Sequence, residues 1–260
     1  MANLKLSTRK CCALCQREEK LCKSHILSRF LVKGTYEEEG FAAVKSAIPG
    51  QPSYNSQGLG HWERLLCRKC EDRFGVWEDY SRDMLNDTPR ECPPELPGCT
   101  VLRGIDYAKF KLFQMSLLWR VSVCRQSFYS RVSLGPIEEE LRVMLLGGDP
   151  GKPWQFGCFM TAVLMPDGSK AEALVEPVAG RVNGYWKVKF VAGGYAWVFS
   201  VSRRPHSLGA TLHLQESGVL IMAVRDLLEL GTIAELADRV IKKELLEKVT
   251  KKPRMPSVLR

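Results

Sequence analysis

Two Cys-x-x-Cys pairs, Cys12–Cys15 and Cys67–Cys70, restrict the fold of this chain more than any other feature of its sequence. Each pair places two thiolates on one tight turn, where they can share a metal ion. Together the pairs supply the four soft ligands of a closed tetrahedral site, with Zn–S bonds of about 2.3 Å. The spacing therefore predicts a structural Zn²⁺ ion bound by Cys12, Cys15, Cys67 and Cys70. A redox-active dithiol and an iron–sulfur cluster are the alternatives.

The cysteine content predicts a reducing compartment. The chain has ten cysteines, and its first residues lack the apolar core of a secretory signal. No run approaches the roughly 18 uninterrupted apolar residues that a membrane-spanning helix needs. We therefore expect a cytoplasmic protein with no membrane contact, in which the clustered cysteines bind metal and the scattered ones are buried thiols.

The charge balance favours a polyanionic partner. The net charge is +9, and more than half of the surplus lies between residues 236 and 260. A basic segment of this kind is typical of nucleic-acid contact, but it is equally typical of a solvated chain end.

Composition divides the chain into three predicted domains. Residues 1–90 contain the cysteine pairs. Residues 91–150 are expected to form a proline-rich linker and a helical connector, because the four prolines between residues 86 and 100 can continue neither helix nor strand ladder. Residues 151–260 are expected to form an antiparallel β-meander closed by a basic C-terminal helix. The predicted fold class is α+β.

Local signals place the elements within these domains. Asp106 is a candidate N-cap for a helix that runs to about residue 129, with apolar side chains at three- and four-residue steps. Pro136 and Ile137 begin a second, shorter helix. Turn signals at residues 165–168 and 193–194 separate strands with no helix-length segment between them. Thr232 opens a capping box for the C-terminal helix.

The segment Ser24–Phe30 lies between the cysteine pairs, and Leu66–Glu71 contains the second pair. With the first cysteine pair shortly before the histidine, this arrangement resembles the zinc-containing HNH, or ββα-metal, endonuclease family. The resemblance covers residues 10–80 and implies an N-terminal module of treble-clef type. It also implies hydrolysis of DNA phosphodiester bonds with the help of a catalytic Mg²⁺ or Mn²⁺ ion.

The resemblance implies specific roles for four residues. His25 is the general base, which draws a proton from the water that attacks the phosphate. Ser24 stands where the family has an acidic or histidine metal ligand. Glu71 and Asp72 stand where a helix histidine would hold the ion, and their oxygen atoms suit Mg²⁺ or Mn²⁺.

Departures from the family pattern keep other functions open. His61 and Trp62 stand near the place of the asparagine that orients the base, and Asn55 lies farther upstream. The alternative is a non-catalytic zinc-finger module that binds nucleic acid or a protein partner, with His25 merely packed beside the zinc. A third reading is a thiol redox switch.

Basic residues surround the second cysteine pair and predict contact with phosphates. They are Arg64, Arg68, Lys69 and Arg73, interleaved with acidic residues. At the start of a helix their side chains could meet the backbone of DNA, although a solvated helix face has the same composition. Residues 151–260 are expected to recognise a target or a protein partner.

Overall fold

A computed structural model describes residues 9–35, 41–45, 54–57, 61–182, 185–201 and 212–226. Over these residues the fold is α+β, as the sequence predicts. The predicted C-terminal helix from Thr232 and the basic segment 236–260 lie outside the described residues. No helix in the described ranges is long and apolar enough to cross a membrane.

The described elements follow in chain order. The α-helices are α1 (Arg29–Val32), α2 (Arg68–Asp87), α3 (Tyr107–Val123) and α4 (Ile137–Gly147). The strands are β1 (Leu21–His25), β2 (Phe41–Lys45), β3 (Tyr54–Gln57), β4 (Trp62–Cys67), β5 (Cys99–Leu102), β6 (Cys158–Leu164), β7 (Leu174–Val182), β8 (Tyr185–Ala192), β9 (Tyr195–Ser200) and β10 (Leu220–Asp226). Short 3₁₀ turns lie at Lys33–Thr35 and Ser127–Tyr129.

The cysteine pairs lie beside a ββα unit. Strands β1 and β4 form an antiparallel pair, with Lys23 opposite Arg64 and His25 opposite Trp62. Helix α2 follows β4 directly, and Cys67 is its N-cap residue. The start of β1 therefore lies beside the start of this helix, since Leu21 pairs with Cys67.

A mixed sheet forms the larger part of the described fold. It has eight strands in the order β3-β2-β7-β8-β9-β6-β10-β5 over the described residues. The central run β7-β8-β9 is the expected meander. The sheet differs from a pure meander because β10 pairs with β6 in parallel and β2 pairs with β7 in parallel. It also contains β2, β3 and β5, which lie outside residues 151–260. The sequence did not predict these pairings, because pairing between distant strands leaves no local sequence signal.

Helix α3 lies between the ββα unit and the sheet. Asp106 caps it by accepting a hydrogen bond from the Lys109 N–H at 3.0 Å. On one side of α3, the ring centroid of Trp119 lies 6.1 Å from that of Phe74 of α2. On another side, the ring centroid of Phe113 lies 6.2 Å from that of Trp197 of β9. The helix is therefore buried on nearly all sides rather than along one stripe, and it ends at Val123, earlier than expected.

The three predicted domains share one hydrophobic core. A continuous cluster of buried side chains includes Leu66 beside the cysteines, Phe74 of α2, Phe113 of α3 and Phe199 of β9.

Helix α4 has the expected bounds. Gly148 ends it with a positive φ of 69°, a conformation that glycine adopts without strain.

Candidate functional site

Local backbone contacts build the first cysteine turn. The Gln16 N–H donates to the Cys12 carbonyl at 2.8 Å, and Gln16 has a φ of 60°. The Ala13 N–H donates to the Leu65 carbonyl at 2.9 Å, which ties this turn to β4. The second pair lies at the first turn of α2, so the β4–α2 junction brings both pairs together.

The four predicted ligands converge at one point. The sulfur atoms of Cys12, Cys15, Cys67 and Cys70 all lie within 4.8 Å of one another. The Cys15 and Cys67 sulfurs are 3.8 Å apart, equal to the edge of about 3.8 Å of a tetrahedron with Zn–S bonds of about 2.3 Å. These cysteines therefore lie close enough to bind a metal ion, in a geometry consistent with structural zinc.

The thiols need a cation if they are to ionise together. Burial raises the pKa of Cys70 and of Cys67, and the charge of a Cys12 thiolate raises both further. Burial also acts against ionisation of Cys12, but N–H groups of Cys15 and Cys67 outweigh it and lower the pKa of Cys12. A divalent cation at the centre would offset the repulsion among the sulfurs.

His25 ends β1 in a half-buried position beside α2 and α3. Its carbonyl accepts a hydrogen bond from Arg120 Nη1 at 2.7 Å, which holds the end of the strand. Burial lowers the pKa of His25, and the charges of Arg120 and Arg29 lower it further, while the charge of Glu78 opposes them. The imidazole is therefore neutral at neutral pH and can accept a proton.

Ser24 and Glu71 form a hydrogen-bonded pair next to His25. Ser24 Oγ donates to Glu71 Oε2 at 2.6 Å and accepts from the Leu66 N–H at 3.1 Å. Burial raises the pKa of Glu71. Ser24 therefore orients the carboxylate of Glu71.

Asp72 points away from this pair. Its side chain is 64% exposed, and its Oδ1 lies 3.6 Å from Nη1 of Arg68, one turn earlier on the same helix face. Of the two acids that the sequence offers as ligands for a hard metal ion, only Glu71 faces the Ser24 side of the ββα unit.

Glu78 is a residue of this site that the sequence reading missed. It lies seven residues after Glu71, which places both carboxylates on one face of α2. Glu78 Oε1 accepts from Ser28 Oγ at 2.8 Å and lies 2.6 Å from Arg120 Nη1. The i, i+7 spacing was the only available signal, and helical spacing of acids is common on solvated faces.

Arg120 was also missed, because it lies on α3, far along the chain from the cysteine pairs. Its side chain is 2% exposed, and its Nη2 donates to Ser28 Oγ at 3.2 Å. It thus contacts the carbonyl of His25, the hydroxyl of Ser28 and the carboxylate of Glu78. This buried guanidinium joins β1, α2 and α3 and neutralises Glu78.

His61 is buried, and it lies close enough to His25 to feel its charge. Its Nδ1 lies 2.8 Å from the Tyr129 hydroxyl, and its carbonyl accepts from the Ile26 N–H at 2.7 Å. Burial, with a smaller contribution from His25, lowers the pKa of His61 to about 4. His61 is therefore a neutral residue that holds the turn after β1.

The four predicted phosphate-binding residues have different surroundings. Arg73 donates to the Leu146 carbonyl of α4, and Arg64 donates to the Leu21 carbonyl at 3.1 Å. Arg68 and Lys69 are exposed on α2. Arg73 is therefore bound within the protein, whereas the other three present charge to solvent.

The fold and the site define an α+β protein with a four-cysteine cluster able to bind a metal ion beside a histidine-containing ββα unit. Comparison with protein-family models, with curated proteins and with solved structures finds no match for this chain.

Proposed function

We propose that the ββα unit is an HNH-like, metal-dependent endonuclease centre that hydrolyses phosphodiester bonds of DNA. One observation carries the proposal: the half-buried His25 ends the strand whose Ser24 is hydrogen-bonded to Glu71 of α2. A general base must be unprotonated at working pH, and the lowered pKa of His25 favours that form.

The proposed bound ion at the four cysteines is structural Zn²⁺. Four thiolates fill a tetrahedral coordination sphere and leave no open position for water or substrate. The ion would fasten the first cysteine turn to the start of α2 and so fix the relative position of β1 and the helix. The ten cysteines lie among the described residues and form no disulfide there, which is consistent with a reducing compartment such as the cytoplasm.

In the proposed reaction, His25 accepts a proton from the water that attacks the phosphate. Glu71 is the carboxylate that would hold a Mg²⁺ or Mn²⁺ ion, because its Oε2 is oriented by Ser24 while Glu78 is engaged by Arg120. When bound, such an ion would stabilise the charge that develops on the phosphate and on the leaving oxygen. Exposed Arg29, close enough to influence the pKa of His25, would meet a phosphate of the strand.

A second candidate is a non-catalytic zinc module that binds nucleic acid. The ion pair between Arg120 and Glu78 favours it, since a buried guanidinium already supplies positive charge among the acids of the site. In this case His25 would be a packed residue, and the basic side chains around the cysteines would bind phosphates without cleavage.

Nicking of supercoiled DNA with Mg²⁺ or Mn²⁺ distinguishes the two functions. We expect His25→Ala to slow nicking by about 10²- to 10⁴-fold, the usual effect of removing a general base. Glu71→Gln should raise the Mn²⁺ concentration needed for half-maximal rate, whereas Asp72→Asn, its exposed neighbour, should leave the rate unchanged. Equal nicking by wild type and His25→Ala, with zinc retained in both, would refute the nuclease and favour the binding module.

A further inference from the structure

Three side chains share one face of the β1–β4 pair. Lys23 lies opposite Arg64, and His25, at the end of β1, lies opposite Trp62. Side chains two residues apart on a strand point to the same side, so Trp62 and Arg64 project together, and Lys23 projects with its partner Arg64. We call this set the β1–β4 face.

The β1–β4 face is open to solvent and basic. Trp62 is 36% exposed even though the Lys23 ammonium lies 4.5 Å from its ring centroid. Arg64 is exposed as well, and its guanidinium donates to the Leu21 carbonyl at 3.1 Å.

The neighbouring acid does not cancel this charge. Glu63 lies between Trp62 and Arg64 in sequence and belongs to the other side of the strand. Its carboxylate accepts from Arg9 Nε at 3.0 Å and from the Arg125 N–H at 2.8 Å. The β1–β4 face therefore combines an exposed indole with two cations, which complements a polyanion that carries flat bases.

We infer that the β1–β4 face binds single-stranded nucleic acid, with one unpaired base stacked on Trp62 and the adjoining phosphates on Lys23 and Arg64. His25 is the direct partner of Trp62 on the paired strand, so a base on Trp62 holds its own phosphodiester close to the end of β1 that carries His25. This placement rests on the proposed nuclease function, and it names the substrate: a strand with an unpaired base next to the bond that is cleaved.

The indole is the reason for choosing a single strand over a duplex. Bases inside a duplex are stacked on each other and paired, so their faces cannot meet a side chain without being unstacked. An unpaired base presents a free face, and stacking on an aromatic side chain is independent of sequence. A duplex would gain only the phosphate contacts.

The test measures binding of a fluorescently labelled oligothymidylate to the full chain with His25→Ala, in which cleavage is slowed about 10²- to 10⁴-fold by the proposed mechanism. Trp62→Ala should raise the Kd about 5- to 150-fold, the effect of losing one stacked base, and Trp62→Phe should raise it less. Trp186→Ala is the matched control, because Trp186 is 40% exposed but lies on β8 of the large sheet. Replacing Lys23 and Arg64 by Gln should reduce the slope of log K against log salt by about 0.7 for each contact.

Two binding results would overturn the inference: an unchanged Kd with Trp62→Ala, or a duplex of the same length bound as tightly as the single strand. Failure of the nuclease gives a different pattern. Trp62-dependent binding of the single strand without cleavage by wild type would support the β1–β4 face and refute the nuclease. Cleavage by the wild type that Trp62→Ala does not slow would support the nuclease and refute binding at the β1–β4 face.

Discussion

Removal of the Arg120 side chain charge should destabilise the protein and change the protonation of His25 at the same time. Arg120→Met keeps much of the side-chain volume but leaves Glu78 without its cation. It also takes the donor from the His25 carbonyl, which accepts from Arg120 Nη1 at 2.7 Å. The two effects act on the same strand end.

The expected loss follows from burial. The side chain of Arg120 is 2% exposed, whereas that of Glu78 is 25% exposed. Breaking a buried ion pair costs about 3–5 kcal/mol, because the remaining charge has lost its partner. Water reaches part of Glu78, so we expect a loss in the free energy of unfolding near the lower limit, about 3 kcal/mol.

A double-mutant cycle with Glu78→Gln isolates the interaction. Each single variant leaves one unpaired group, and the double variant leaves neither charge. The double variant should therefore lose less stability than the sum of the single losses, with a coupling of about 1–3 kcal/mol in urea unfolding. Strictly additive losses, or a loss below about 1 kcal/mol for Arg120→Met, would refute the ion-pair argument.

The pKa of His25 supplies a second readout with opposite signs. The negative charge of Glu78 raises it and the positive charge of Arg120 lowers it. Titration of the His25 ring by NMR should show a lower pKa in Glu78→Gln and a higher pKa in Arg120→Met. Shifts in the same direction in both variants would show that burial changes, and not these charges, control His25.

Two further predictions concern the metal cluster and the buried histidine. Cys67→Ser should release the metal and unfold the N-terminal module, because closed zinc sites contribute folding free energy of order 10 kcal/mol. Cys22→Ser, outside the cluster, should keep both metal content and melting temperature. His61 has a folded pKa of about 4 against an ordinary 6.5, so the unfolded chain binds more protons between these values. The free energy of unfolding therefore has its full value, as far as His61 is concerned, above pH 6.5. It falls by about 3 kcal/mol as the pH approaches 4, at 1.36 kcal/mol per pKa unit. Urea unfolding of wild type and His61→Asn over this range measures it, and parallel curves would contradict it.

Short-range features of the fold could be predicted from the sequence. The cysteine pairs predicted the metal-binding cluster because a Cys-x-x-Cys turn is complete within four residues. The Asp106 cap and the helix from Ile137 to Gly147 also depend on a few adjacent residues. The α+β class followed from the change in periodicity along the chain.

Contacts between distant residues were decided by the tertiary structure. The Arg120–Glu78 pair joins two helices, and neither residue carries a local sign of its partner. The same holds for the Ser24–Glu71 hydrogen bond and for the difference between Glu71 and its exposed neighbour Asp72.

Strand pairing explains why the sequence did not predict the large sheet or the neighbours of His25. Alternation predicts which residues share a side of one strand, but register between strands depends on packing over the whole sheet. Only the pairing of β1 with β4 places Trp62 opposite His25, and only long-range pairing adds β2, β3 and β5 to the large sheet. By itself the sequence determined the four-cysteine cluster and the helix caps, while the surroundings of His25 depend on chain segments that meet only in the folded protein.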